Sequence, residues 1–199
     1  MSRAFDPQPV TLTGRHVRLE PLELRHAGDL LKAGKDPIVW RYLPCPPPVC
    51  LGDVEAYIGD ALEHAATRLQ IPFAIVLLET GQAIGSTRYL DILRSDGGLE
   101  IGWTWIGVPW HRTAVNTECK FLLLRHAFED LGAVRVQLKT DGRNEQSQQA
   151  IARIGGRREG VLRRNRRLWD GFIRDTVVFS VLDSEWPGVK EALEKRLAA

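Results

Sequence analysis

The chain has 199 residues, 44% of them apolar and 26% charged, with a net charge of +2. That balance fits one ordinary globular domain with a real core; it excludes global disorder and gives no bulk-charge argument for nucleic acid. Three cysteines, Cys45, Cys50 and Cys119, make no disulfide framework, and no His or Cys partner stands at zinc-like spacing, so no metal is expected. The first ten residues, MSRAFDPQPV, lack the apolar run of a signal peptide, and the longest apolar stretches are too short to span a bilayer. The expectation is a cytoplasmic protein without a membrane partner, a single domain over 1–199.

Taken in chain order, His16–Pro21 alternates apolar and polar residues and predicts a first strand. Leu22–Ala33 has helical spacing and stops at Gly34. Leu51–Leu69 predicts a second helix, ended by Ile71-Pro72. Phe73–Leu78 reads as a buried strand, and Thr80-Gly81 turns into Ala83–Asp91. Asp96-Gly97-Gly98 turns again into a strand over Leu99–Val108. Val115–Leu131 is a long apolar helix, Val134–Thr140 a strand, and Glu145–Ile154 a helix closed by Gly155-Gly156. Phe172–Leu182 is a last strand, followed by a C-terminal helix over Glu185–Leu197. Three meandering strands followed by helix and strand predict an α+β (mixed α/β) fold, its sheet antiparallel in the front half with a crossover behind.

The informative segment is Leu99–Lys120, LEIGWTWIGVPWHRTAVNTECK. A strand runs through a short turn directly into a helix. The first turn of a helix carries unpaired N–H groups and a partial positive charge, which makes it a ready phosphate site. Here those amides belong to residues 112–117, with Arg112 adding a cation and the modest side chains of Thr113, Ala114 and Val115 allowing close approach. Any strand–turn–helix offers this much; the surrounding segments narrow it.

The segment resembles motif A of the GNAT superfamily of acetyltransferases, and the chain is similar to the RimJ/RimL-like, ribosomal-protein N-acetyltransferase branch. LTGRHVRLEPL, IGSTRYLDI, EIGWTW, VNTECKFLLLRHAFEDLGAVRVQLKT, NEQSQQAIARIGG and IRDTVVFSV carry the resemblance across nearly the whole chain. His111 stands where the motif has Gln or Arg, and Ala114 and Asn116 stand at its two small positions. The resemblance implies the GNAT fold, a central, mostly antiparallel, splayed sheet of about seven strands flanked by helices. It implies an acetyl-CoA-dependent N-acetyltransferase acting on a primary amine by direct attack on the thioester. A peptide or protein N-terminal α-amine is the leading acceptor. A small-molecule amine, or a catalytically silent CoA-binding module, are the alternatives. Acetyl-CoA is the co-substrate, and a homodimer is suggested by analogy alone.

That chemistry needs a base, oxyanion donors and a donor for the leaving thiolate. Alternation along the strand puts Leu99, Ile101, Trp103 and Trp105 on one face, and Glu100, Gly102, Thr104 and Ile106 on the other. Glu100 is therefore the candidate base, although a solvated or ion-paired strand residue fits the same position. The resemblance carries the family's Asn-x-x-Ser segment onto Asn144, toward the pantetheine arm, and Ser147, near the sulfur; both residues also suit a helix cap and first turn. The strand end at Ile106, Gly107 and Val108 is expected to meet the cofactor, with the N–H groups of Gly107 and Val108 as oxyanion donors. His111, Arg112, Thr113, Ala114, Val115, Asn116 and Thr117 complete the expected cofactor contacts. Trp40 and Tyr42 resemble the family's acceptor-side segment, with Arg88 joining from the neighbouring strand, and core packing explains the two aromatics equally well. The Arg-rich run Arg157–Arg167 reads as a solvated hairpin before the last strand, and nucleic acid is not expected as a partner.

Overall fold

The computed structural model describes residues 5–198. Eight strands form one sheet: β1 (Leu12–Thr13), β2 (Val17–Pro21), β3 (Ile71–Leu77), β4 (Ala83–Leu93), β5 (Gly98–Ile106), β6 (Arg135–Asp141), β7 (Arg157–Arg167) and β8 (Ile173–Leu182). Their order across the sheet is β1-β2-β3-β4-β5-β6-β8-β7. All neighbours are antiparallel except β5 and β6. The helices are α1 (Ala27–Ala33), α2 (Leu51–Ala66), α3 (Ala114–Arg125), α4 (Glu145–Arg153) and α5 (Trp186–Ala198). The α3 helix relaxes into a π-helical turn over His126–Asp130. No helix among the described residues is long and apolar enough to cross a membrane.

Each face of the sheet has its own core. On one face, Leu22, Leu30 and Trp40 pack with Val54, Ile58 and Ala61 of α2 against Ala74, Val76 and Trp105. On the other, the α3 residues Val115, Cys119, Leu122 and Leu123 pack with Ile151 of α4 and Leu193 of α5 against Leu99, Ile101, Val136 and Leu138. These are called the α2 face and the α3 face below. Glu118 ties α3 to the start of the sheet. Its buried carboxylate accepts the backbone N–H groups of Arg15, His16 and Val17 at 2.6, 2.8 and 2.9 Å.

Three expectations are revised. The sheet gains the short β1, and Arg157–Arg167 is an eleven-residue edge strand rather than a hairpin. It lies at the sheet's end and is almost wholly exposed, so no apolar alternation marks it. The strict alternation expected along β5 fails at Trp103. Gly102 pairs with Arg88 and Trp105 with Ser86, so Trp103 and Thr104 together oppose Thr87. Trp103 takes the left-handed conformation, φ 50°, and the bulge reverses which face each later residue meets. Trp103 and Trp105 therefore point to the α2 face, toward Tyr57 and Trp40. Thr104 and Ile106 join Leu99 and Ile101 on the α3 face.

Candidate active site

The β5–β6 pairing is short. It runs from Gly98↔Arg135 to Ile101↔Leu138 and then stops. Beyond it β5 stays with β4 as far as Ile106, and β6 stays with β8 as far as Asp141. The two strands part, and their facing main-chain groups are left without each other. The gap opens both faces of the sheet into one cleft of about 1160 Å³.

Glu100 stands where the strands separate, on the α2 face. It lines the cleft and is 6% exposed. Its carboxylate lies 2.7 Å from the Lys139 ammonium and accepts from Gln137 at 3.4 Å. Burial pushes the Glu100 carboxyl above its ordinary value, and Lys139 limits the rise. Gly102 leaves the carboxylate room, because a Cβ there would come within 2.9 Å of Glu100 Oε1.

The α3 face of the cleft carries a residue that sequence reasoning missed. Lys120 is 6% exposed, yet it is one of the residues that line the cleft. Its partner is a neutral hydroxyl, Thr104 Oγ1, to which it donates at 2.6 Å; Thr104 in turn bonds Thr87 at 2.7 Å. No carboxylate among the described residues lies within ion-pair distance of Lys120. Burial brings its pKa down to about 8.

At the start of α3, Thr113 caps the helix by accepting from Val115 N at 3.3 Å, and its hydroxyl donates to Trp110 O at 2.8 Å. His111 Nε2 donates to Ile106 O at 2.8 Å, which fixes its tautomer and closes the strand-to-helix turn. Arg112 has φ 60°. Of the five non-glycine residues in this left-handed region among the described residues, Asp91, Trp103 and Arg112 all line the cleft, which concentrates backbone strain there. At the start of α4, Asn144 accepts from Ser147 N at 3.0 Å and caps the helix, and both residues border the cleft.

Most of the sequence-predicted site therefore comes together. Glu100, Ile106, Val108, His111, Arg112, Thr113, Ala114, Asn116, Thr117, Asn144, Ser147 and Tyr42 all border the cleft. Four residues do not. Val115 points into the core. The Gly107 N–H donates to Ile84 O at 2.9 Å and is not available to an oxyanion. Trp40 is buried against Trp105, its ring centroid 4.7 Å away, and donates to Gly34 O. Arg88 is fully buried between the rings of Trp103 and Tyr57, its Nε and one Nη without a partner among the described residues.

The donor set suits acetyl-CoA. The first turn of α3 and Arg112, Arg153 and Arg196 offer cationic or N–H groups for phosphates, and the parted strand edges offer main-chain groups for the amides of a pantetheine arm. Residues 16–157 match the model of the acetyltransferase (GNAT) domain. The chain belongs to the GNAT acetyltransferase family. An uncharacterized N-acetyltransferase of Bacillus licheniformis, p20, is 28% identical over 182 residues, 89% of this chain and 99% of that protein. A crystal structure from T. thermophilus, assigned as an acetyltransferase, is 44% identical with a TM-score of 0.87, covering 96% of this chain and 98% of that one. RimJ of Mycobacterium smegmatis, solved with CoA-disulfide, has a TM-score of 0.82 at 19% identity, covering 94% and 95% of the two chains. At that identity the likeness is one of fold. The GNAT fold uses acetyl-CoA, and this chain is an acetyltransferase.

Proposed function

We propose that the chain transfers the acetyl group of acetyl-CoA to a primary amine that attacks the thioester directly, with a peptide or protein N-terminal α-amine as the acceptor. The observation that carries this reading is the gap after Ile101 and Leu138, with Glu100 on one face of the sheet and Lys120 on the other. Cofactor and acceptor then approach from opposite faces and meet in the gap.

On the α3 face, the α3 N-terminus and Arg112 hold the phosphates, while Asn144 and Ser147 border the arm. The bound group supplies an activated acetyl as a thioester. On the α2 face, Glu100 takes the proton that the amine must lose before it can attack, and its raised pKa makes it a better base than an exposed carboxylate. Lys139 holds the carboxylate in place. The unpaired main chain of β5 beyond Ile101 supplies the oxyanion donors in place of Gly107. Lys120 and the Ser147 hydroxyl are the groups on the α3 face that can hold or protonate the departing sulfur.

The RimJ/RimL-like assignment and the peptide acceptor rest on the quoted segments and on the whole-chain likeness of fold to RimJ. The test is thiol release from acetyl-CoA with a panel of N-terminal peptides and small amines. Peptide amines turning over fastest supports the reading. Turnover confined to small amines supports the small-molecule alternative, and binding of acetyl-CoA without turnover supports a silent module.

A further inference from the structure

The α2-face mouth of the cleft is built from Tyr42, Asp141, Arg143, Arg166 and Arg174, with Arg41 at its rim. Tyr42 is its centre. Arg174 Nη1 donates to Tyr42 O at 3.3 Å, the Tyr42 hydroxyl donates to Arg143 O at 3.4 Å, and the Arg41 and Arg143 guanidinium carbons lie 5.3 and 5.5 Å from the Tyr42 ring centre. Arg143 also stacks on Phe172 at 3.5 Å. Arg166 and Arg174 face each other across β7 and β8.

The single carboxylate in this group is committed. Asp141 is buried and accepts from Arg143 N, Nε and Nη2 at 2.9, 3.0 and 2.8 Å. Asp170 is near Arg143 but outside the cleft, and Asp175 accepts Arg164 N. Arg174 is half-buried, bonds the neutral Thr176 hydroxyl at 3.0 Å, and makes no ion pair among the described residues. Burial and the like charge of Arg166 hold its pKa below the ordinary value, and the carboxylates of Asp141 and Glu100, both close enough to act on it, offset this only in part. Arg41, Arg166 and Arg174 make no ion pair among the described residues and thus leave a mouth in which cations outnumber the nearby carboxylates, Asp141 and the proposed base Glu100.

A forked guanidinium that is partly desolvated and unpaired is suited to a carboxylate. We infer that the acceptor carries a carboxylate near its amine, bound at Arg174 with Arg166 and Arg41 beside it, so that the enzyme selects anionic amines. The inference rests on the acetyl-transfer reading above. Two sources present this chemistry: an amino acid, through its α-carboxylate, and a peptide with an acidic residue after its first.

Two matched pairs separate these sources: phenylalanine against phenylalaninamide, and a Ser-Glu peptide against the same peptide with Ser-Gln. The expected result is a preference of at least about tenfold in kcat/KM for the carboxylate member of one pair. It is expressed mainly in KM, weakens with salt, collapses in Arg174→Gln and is partly kept in Arg174→Lys. The exposed Arg166→Gln lowers it without altering thermal stability, which covers misfolding of the Arg174 variant. Equal or better use of the neutral member in both pairs overturns the inference. Calorimetric binding of the same pairs, with CoA present, decides the matter where neither amine is turned over. Tighter binding of a carboxylate member that Arg174→Gln abolishes supports the anion site while the acetyl-transfer reading fails, and equal binding overturns the site.

Discussion

Replacing Lys120 by Met is predicted to make the protein more stable and less active. The lysine is 6% exposed, bonds only the Thr104 hydroxyl among the described residues, and is held at about 8 by burial against an ordinary 10.5. A depression of that size costs the folded state about 3 kcal/mol while the lysine is charged. The sign follows from proton affinity. The unfolded chain holds this proton more tightly, so the penalty is complete below about pH 8 and fades as the pH rises toward 10.5. Met keeps most of the volume but leaves Thr104 without its donor, a loss of about 1 kcal/mol. The net prediction is a gain of about 2 kcal/mol at pH 7 that shrinks to about zero at pH 10. Urea denaturation of both proteins at the two pH values reads this directly, since groups common to both cancel. Acetyl transfer by the variant should fall by about tenfold or more, the usual scale for a lost proton-transfer group. A variant less stable at pH 7, or an effect independent of pH, refutes the reasoning.

Glu100→Gln should lower kcat by about 10²–10⁴ while leaving the KM for acetyl-CoA nearly unchanged. In the wild type, kcat/KM should fall as the pH drops through a value above 4.5, because the base works deprotonated and burial raises its pKa; the variant should lose that acid limb. Glu118→Ala leaves three backbone N–H groups unpaired, that of the buried Val17 among them, and should cost about 3–5 kcal/mol by urea denaturation. Thr113→Ala removes the cap of α3 and should cost about 1 kcal/mol, with weaker acetyl-CoA binding by calorimetry.

The parts of the site that the sequence discloses are those where short-range chemistry decides the structure. The turn from Val108 into α3, with Thr113 as its cap, and the Asn144 cap of α4 are local, and each is readable from a few adjacent residues. The missed features depend on distant pairing. The bulge at Trp103 exists because Trp103 and Thr104 share one partner, Thr87 on β4, and Trp occupies a backbone conformation that ordinarily favours glycine. Alternation therefore assigns Trp103 and Trp105 to the wrong face, while Glu100, before the bulge, keeps the right one. Lys120 reads as a polar interruption of an apolar helix; its burial arises only when α3 packs over Thr104. Arg157–Arg167 has no alternation to read, because an edge strand with both faces wet imposes none. Arg174 carries no signal of its own in the last strand, since only the β7–β8 pairing and the reach of Tyr42 bring it to the cleft.

Mass spectrometry of amines incubated with acetyl-CoA, alongside thiol release, decides whether acetyl reaches an amine through Glu100, with wild type and Glu100→Gln compared. The expected result is an acetylated amine formed one-for-one with free thiol by the wild type, and sharply less by the variant although acetyl-CoA still raises its melting temperature. Equal product from both proteins, or acetyl-CoA bound by the wild type with no amine acetylated, contradicts it.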